Sequence, residues 1–213
     1  MEILDIHTHH SVPQPQGIVS IRVRKETESY LLEPQQAYSV GIHPWDTITE
    51  DIESRFSLLD TLASQPDVLA IGEAGIDLNI GGPLFRQLLI FRHQVELSEE
   101  LEKPLIIHDV KGHDVILGAH RDLKPRQNWA IHGFRQKPQV ADMFIRAGFY
   151  LSFGAEFNPE TVSGIRIDRI LAETDDSEQS IEEVITRLSE VRGEDLREQI
   201  AQNSRAFLGQ SAE

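Results

Sequence analysis

Short apolar or β-branched runs alternate along this chain with stretches whose apolar residues recur every three or four positions. The runs that read as strands are Ile3–His7, Gly17–Val23, Tyr38–Ile42, Val68–Glu73, Pro104–His108, Trp129–His132, Tyr150–Phe153 and Arg169–Glu173, eight in all. The clearest helical stretch is Pro83–Glu102, where Leu84, Leu88, Phe91 and Val95 share a face and Pro104 closes the pattern. Asp51–Ala63, His113–Leu123, Pro138–Ala147 and Ile181–Val191 behave similarly, and Glu194–Leu208 reads as a terminal helix. Gly148, just after a helical stretch, reads as a C-cap.

Strand–helix alternation implies a parallel sheet with right-handed crossovers, and eight strands suggest closure into a barrel. The first two connections break the pattern. Thr8–Gln16 carries Pro13 and Pro15 and is too short for a helix with its loops, while Glu26–Pro34 offers at most a short helix. The expected fold is therefore α/β: a short, distorted TIM-type (β/α)8 barrel lacking at least one outer helix, with an open doubly wound sheet as the alternative. No internal repeat, linker or low-complexity tract interrupts the chain, so 1–213 reads as a single domain.

Composition narrows the chemistry. The 39% hydrophobic and 26% charged residues are those of an ordinary globular chain. No apolar run approaches a membrane span, and MEILDIHTHH lacks the features of a signal peptide, so a cytoplasmic protein with no membrane association is expected. There is no cysteine, which excludes disulfides, thiolate metal sites and cysteine nucleophiles. The net charge of −15 argues against easy nucleic-acid binding, because non-specific affinity comes from Lys and Arg displacing counterions from phosphates. Two bound divalent cations would still leave the chain strongly negative, so a nucleic-acid substrate would rely on metals and a local basic patch. Nothing points to a protein partner.

The candidate chemistry lies at the strand ends, the face where parallel barrels build their sites. The first strand ends in His7-Thr8-His9, the third in His43-Pro44, the fourth in Glu73, the fifth in His108 and the sixth in His132, and Asp175 follows the eighth. A lone strand-end histidine is more often a hydrogen-bonded core residue than a ligand, but several converging on one mouth with two carboxylates are hard to obtain otherwise. His7 and His9, two apart on an extended chain, point to the same side and can share an ion. Glu73 closes an apolar strand, where an unpartnered charge would be costly; a structural salt bridge is the plainer alternative. Either Asp175 or Glu173 could be the functional carboxylate at the end of the eighth strand, and Asp175 is favoured because it lies nearer the loop. Six protein ligands exceed the need of one ion and suit two ions bridged by a carboxylate, with Glu73 where a bridging lysine could otherwise stand. His-rich coordination suits Zn, Ni, Co or Mn, and the carboxylates also admit Mg. His43 and His113, with Arg135 and Lys137 just after His132, are the candidate substrate contacts. His10 reads as a support to the metal ligands, and His93 and His120 as surface residues.

Asp5-Ile-His7-Thr-His9, Gly41-Ile-His43-Pro44, Ile71-Gly-Glu73-Ala-Gly-Ile-Asp77, Gln87 with Phe91 and Gln94, Pro104-Leu-Ile-Ile-His108, His132-Gly-Phe134, Gly148-Phe-Tyr-Leu-Ser-Phe, Leu171-Ala-Glu-Thr-Asp175 and the late Asn203 follow one another in order. This set resembles the TatD family of metal-dependent deoxyribonucleases, within the metallo-dependent hydrolase barrels. The resemblance implies that His7, His9, Glu73 and Asp175 hold one divalent ion and that Glu73, His108 and His132 hold a second. It also implies that the catalytic carboxylates are Asp175, which orients or deprotonates the attacking water, and Glu73. The substrate implied is a phosphodiester, DNA or a short oligonucleotide. A small-molecule amidohydrolase or esterase, and a non-catalytic metal-binding protein, are the alternatives. The chain departs from the family pattern in a trimmed segment after the first histidine pair. It also has Val110 where an arginine is common, and Asp175-Asp-Ser-Glu-Gln-Ser running directly into a helix.

Overall fold

The computed structural model describes residues 2–24, 27, 32–48 and 50–210. Eight strands, β1 (Asp5–Thr8), β2 (Gly17–Arg22), β3 (Ala37–Gly41), β4 (Val68–Asp77), β5 (Leu105–Val110), β6 (Trp129–Ile131), β7 (Tyr150–Phe153) and β8 (Ile170–Ala172), follow in sequence order around a closed barrel. Each pairs parallel with the next, and β8 pairs back onto β1 through Asp5 and Ala172. Closure satisfies the backbone on both sides of every strand and excludes the open-sheet alternative.

Seven α-helices lie among the described residues: α1 (Ile52–Ala63), α2 (Leu84–Leu101), α3 (His113–Leu123), α4 (Pro138–Arg146), α5 (Pro159–Gly164), α6 (Ile181–Arg192) and α7 (Arg197–Phe207). The connection from β1 to β2 contains no helix, as its length and prolines dictate. The short helix considered for Glu26–Pro34 lies largely outside the described residues. The six-residue α5 was not expected, although Asn158 accepts from the Glu160 and Thr161 amides and Pro159 fills the first helical position. The terminal helix begins at Arg197 rather than Glu194.

Two apolar clusters build the body. The larger packs the outer faces of the strands, with Leu105, Ile107, Trp129 and Ile131, against Ile90, Phe91, Phe144 and Leu188 of the helices. The smaller gathers Ile6, Ile18, Ala70, Ile106, Ala130 and Leu171 from six different strands and fills the barrel interior. Side chains alternate across a strand, so two residues beyond Ile106, Ala130 and Leu171 the chain again faces inward. Those positions are His108, His132 and Glu173. The pleat that plugs the barrel thus also delivers polar side chains to its mouth.

Buried amides fix the strand ends. Gln94 accepts from the Ile42 amide at 2.8 Å and donates to the Ile42 carbonyl at 3.0 Å, tying the chain just before His43 to α2. Gln87 does the same for Asp77, at 2.8 and 2.9 Å. Asn203 on α7 donates to the Ile167 and Ile170 carbonyls at 2.8 and 2.7 Å, anchoring the entry to β8. Two glycines permit close strand approach. A Cβ on Gly41 would lie 2.6 Å from the Gly72 carbonyl carbon, and one on Gly75, at φ +144°, would lie 2.1 Å from the His108 carbonyl oxygen. β4 therefore pairs with β5 as far as Asp77 and Val110, beyond the expected stop at Glu73.

Candidate metal centre

Glu73 is the hub of the barrel mouth. It is 3% exposed, and its two oxygens face different groups. Oε1 lies 3.0 Å from His43 Nε2, 2.7 Å from His108 Nδ1 and 2.7 Å from His132 Nε2. Oε2 lies 3.7 Å from His7 Nε2 and 3.6 Å from His9 Nε2. Asp175 Oδ1 completes the second side, 3.6 Å from His7 Nε2 and 3.7 Å from His9 Nε2. All six residues expected to ligate metal thus meet in one place, and the fold brings His43 and Asp176 to the same cluster.

The donor set fits divalent cations. Both ring nitrogens of the fully buried His7 lack hydrogen-bond partners. His108 Nδ1 and His132 Nε2 approach to 3.2 Å while both face Glu73 Oε1, a convergence of lone pairs that needs a proton or a cation. The electrostatics run the same way. Burial would raise the Glu73 carboxyl, but the His132 charge and hydrogen bonds from His108, His132 and His43 hold it well below the usual range. Burial would likewise lower His132, yet Glu73 and Glu173 push it well above an ordinary imidazole. For Asp175, burial is outweighed by His7 and His132, leaving the carboxyl at about 2. The site is a concentrated negative field that attracts positive charge.

The geometry separates the two carboxylates at the end of β8. Glu173 is fully buried; its Oε1 accepts from the Gly133 amide at 2.6 Å and lies 3.4 Å from His132 Nδ1. It braces His132 from behind, so that Nε2 faces Glu73. Asp175, its side chain 28% exposed, sits at the rim of a cavity of about 270 Å3 lined also by Gly133, Arg135, Gly154 and Glu156. Its φ of +53° is left-handed, and its backbone is pinned to β1: the Asp175 amide donates to the His7 carbonyl, and the His9 amide to the Asp175 carbonyl.

Two acids have larger parts than the sequence reading assigned them. Asp5 accepts from the His7 and Thr174 amides at 3.2 and 3.1 Å, and its Oδ2 lies 2.6 Å from Thr174 Oγ1, so it rivets β1 to the chain that carries Asp175. Burial pushes its carboxyl up to about 7. Asp77 Oδ2 accepts from Trp45 Nε1 at 2.6 Å and lies 3.4 Å from His108 Nε2. Both acids were visible in the motifs; their partners are distant in sequence, and only the barrel joins them.

The family model described as TatD related DNase matches residues 18–209. The chain belongs to the TatD family. Among curated TatD relatives, it is 32% identical to the uncharacterized metal-dependent hydrolase YabD of Bacillus subtilis over 64% of this chain and 57% of that protein. It is 31% identical to the 3'-5' ssDNA/RNA exonuclease TatD of Erwinia billingiae over 70% of this chain and 65% of that protein. The chain thus spans little more than half the length of the first curated relatives it matches. The solved YjjV structure from Escherichia coli, a TatD homologue, superposes with a TM-score of 0.80 at 20% identity, covering 98% of both chains, and shares the fold.

The candidate substrate residues fare differently. His43 is buried, and its Nδ1 accepts from the Trp45 amide at 3.1 Å, so the neutral ring donates through Nε2 to Glu73 and faces the cluster rather than solvent. Burial lowers its pKa despite Glu73. Arg135 reaches the cavity beside Asp175 but is exposed and paired to Glu156 at 2.7 Å. Lys137 is exposed at the N-terminus of α4, and His113 begins α3 near Asp109; neither lines that cavity. His10 reaches the Ser177 carbonyl at 2.8 Å and fastens the loop after Asp175. His93 and His120 are half-buried rather than surface residues: His93 stacks on Phe56 and pairs with Asp60, and His120 packs on Trp129 and Phe149.

Proposed function

We propose that this chain is a divalent-metal-dependent phosphodiesterase of the deoxyribonuclease type. The observation that carries the proposal is Glu73, with one oxygen toward His108 and His132 and the other toward His7 and His9. In this reading His7, His9, Glu73 and Asp175 hold one ion, and Glu73, His108 and His132 hold a second. When bound, two divalent ions polarise a phosphate and lower the pKa of water towards neutrality.

The protein's own groups do the rest. Asp175, ionised at all working pH and open to the cavity, orients the attacking water and accepts its proton. His43 donates to Glu73 and holds the shared carboxylate in place. Glu173 and Asp5 fix His132 and His7 by their amide and ring contacts. Arg135, which lines the same cavity as Asp175, is a cation able to take a substrate phosphate once released from Glu156. Asp175, partly open at the cavity rim, disfavours a purely structural metal site, which has no need of an open carboxylate.

A small-molecule amide or ester is the second reading, favoured by the net negative charge and by arginines already paired to carboxylates. Arg22 and Arg24 both bind Asp46, Arg135 binds Glu156, and the net charge is −15. The test is elemental analysis after reconstitution with Zn, Mn, Ni, Co or Mg, followed by a panel of phosphodiesters, oligonucleotides, amides and lactones. Two ions per chain and turnover of phosphodiesters are expected, with short oligonucleotides processed at least as well as long duplexes. Turnover confined to amides or lactones refutes the phosphodiester reading, and no stoichiometric metal refutes the site.

A further inference from the structure

Trp45 is an indole fixed in place and open to solvent at the edge of the metal cluster. It is 45% exposed, whereas the chain's other tryptophan, Trp129, is 1% exposed. Its position is set from three sides. Nε1 donates to the buried Asp77 at 2.6 Å, its amide donates to His43 Nδ1 at 3.1 Å, and Arg22 lies over the ring 5.3 Å from its centroid. Arg22 is itself held by Asp46 at 2.7 Å. The ring stands edge-on to His43 and His108, with centroids 4.7 and 6.0 Å away.

The rigid mounting of this partly open ring at the cluster edge means that stacking on it costs little side-chain entropy. Arg22, over the ring, and Arg24 are both engaged by Asp46, so on this side of the mouth they offer a strand's phosphates little grip. An aromatic platform supplies what the charges do not, since base–aromatic stacking is independent of sequence and of counterion release.

We propose that Trp45 is a specificity-determining platform on which a nucleobase beside the scissile phosphodiester stacks; the proposal rests on the phosphodiesterase reading. Its test uses metal-loaded protein and two short single strands of equal length, an oligothymidylate and an abasic strand of the same backbone. The wild type is expected to cleave the base-bearing strand with the higher kcat/KM by about ten- to a hundredfold, the range of one stacked base. Trp45→Phe keeps a π face and should retain most of that preference, whereas Trp45→Leu keeps apolar bulk and should lose it. Independently, a phosphorothioate-linked oligothymidylate should quench wild-type indole emission and the abasic analogue should not. In Trp45→Phe, where only the buried Trp129 emits, the quench should vanish. A preference retained in Trp45→Leu, loss of the preference in both variants alike, or equal quenching by the two strands overturns the stacking role. Cleavage of neither strand refutes the phosphodiesterase reading itself, while cleavage of both at equal rates refutes the platform and leaves that reading standing.

Discussion

Replacing Asp5 by alanine tests whether the rivet between β1 and β8 organises the metal centre. Asp5 is 4% exposed and is the acceptor for the His7 amide, the Thr174 amide and the Thr174 hydroxyl. Each buried donor left unsatisfied costs about 1–3 kcal/mol. The hydroxyl can turn to Thr8 Oγ1, 2.7 Å away, so the two amides dominate. Loss of a carboxyl that burial already disfavours in its charged form returns part of this. The net expectation is a destabilisation of about 2–4 kcal/mol. For a chain of this size that lowers Tm by about 5–15 °C, measurable by calorimetry. Because His7 and Asp175 are then held less firmly, metal affinity should fall by about ten- to a hundredfold, the usual effect of losing a group that orients a ligand. Asp5→Asn is the control. Its amide oxygen can still accept from both backbone donors, so its cost should stay near 1 kcal/mol. An alanine variant melting within about 2 °C of wild type, or an asparagine variant melting as low as the alanine one, refutes the reasoning.

Asp175→Asn should fold and still bind the ion assigned to Glu73, His108 and His132, while turnover falls by at least about 10²–10⁴. Near wild-type turnover would remove Asp175 from the mechanism. The His108→Ala, His132→Ala double variant should give the complementary pattern in elemental analysis, one ion lost and one kept, and two retained ions would overturn the assignment. Gly75→Ala forces a Cβ to within 2.1 Å of the His108 carbonyl, so folded yield or Tm and metal content should drop together; a variant that folds and loads metal normally would show that β4 and β5 can separate there at no cost.

The barrel was legible because its cause is periodic. Eight apolar runs separated by amphipathic stretches leave few topologies, and Pro13 and Pro15 made the helix-free first connection readable in advance. Strand ends were less legible. The fourth strand, expected to stop at Glu73, continues through Ala74-Gly75-Ile76-Asp77, because Gly75 lets the backbone close against β5 and Gln87 takes both backbone groups of Asp77. Neither cause can be seen from a local window. The helix Pro159–Gly164 was missed for the opposite reason. Its Asn-Pro start signal was present, but six residues are too few for a face to show in the spacing.

For the metal centre, legibility divides along the same line. The convergence of His7, His9, Glu73, His108 and His132 follows from their places at strand ends, which the sequence displays. What each carboxylate does depends on the surface it rests against. Glu173 lies two residues beyond Leu171 and keeps the inward phase of β8, which buries it behind His132. Asp175 would lie two residues further inward if the strand continued, but the strand does not continue. At Asp175 the chain turns left-handed and exchanges hydrogen bonds with His7 and His9 of the β1 side. That turn lifts the carboxylate out of the interior and sets it at the rim, facing both the His7–His9 pair and the open cavity. Aspartate tolerates this conformation better than most residues, and a β-branched side chain would be strained in it. The difference between a bracing carboxylate and an accessible one thus rests on a single backbone torsion, which neither spacing nor composition records.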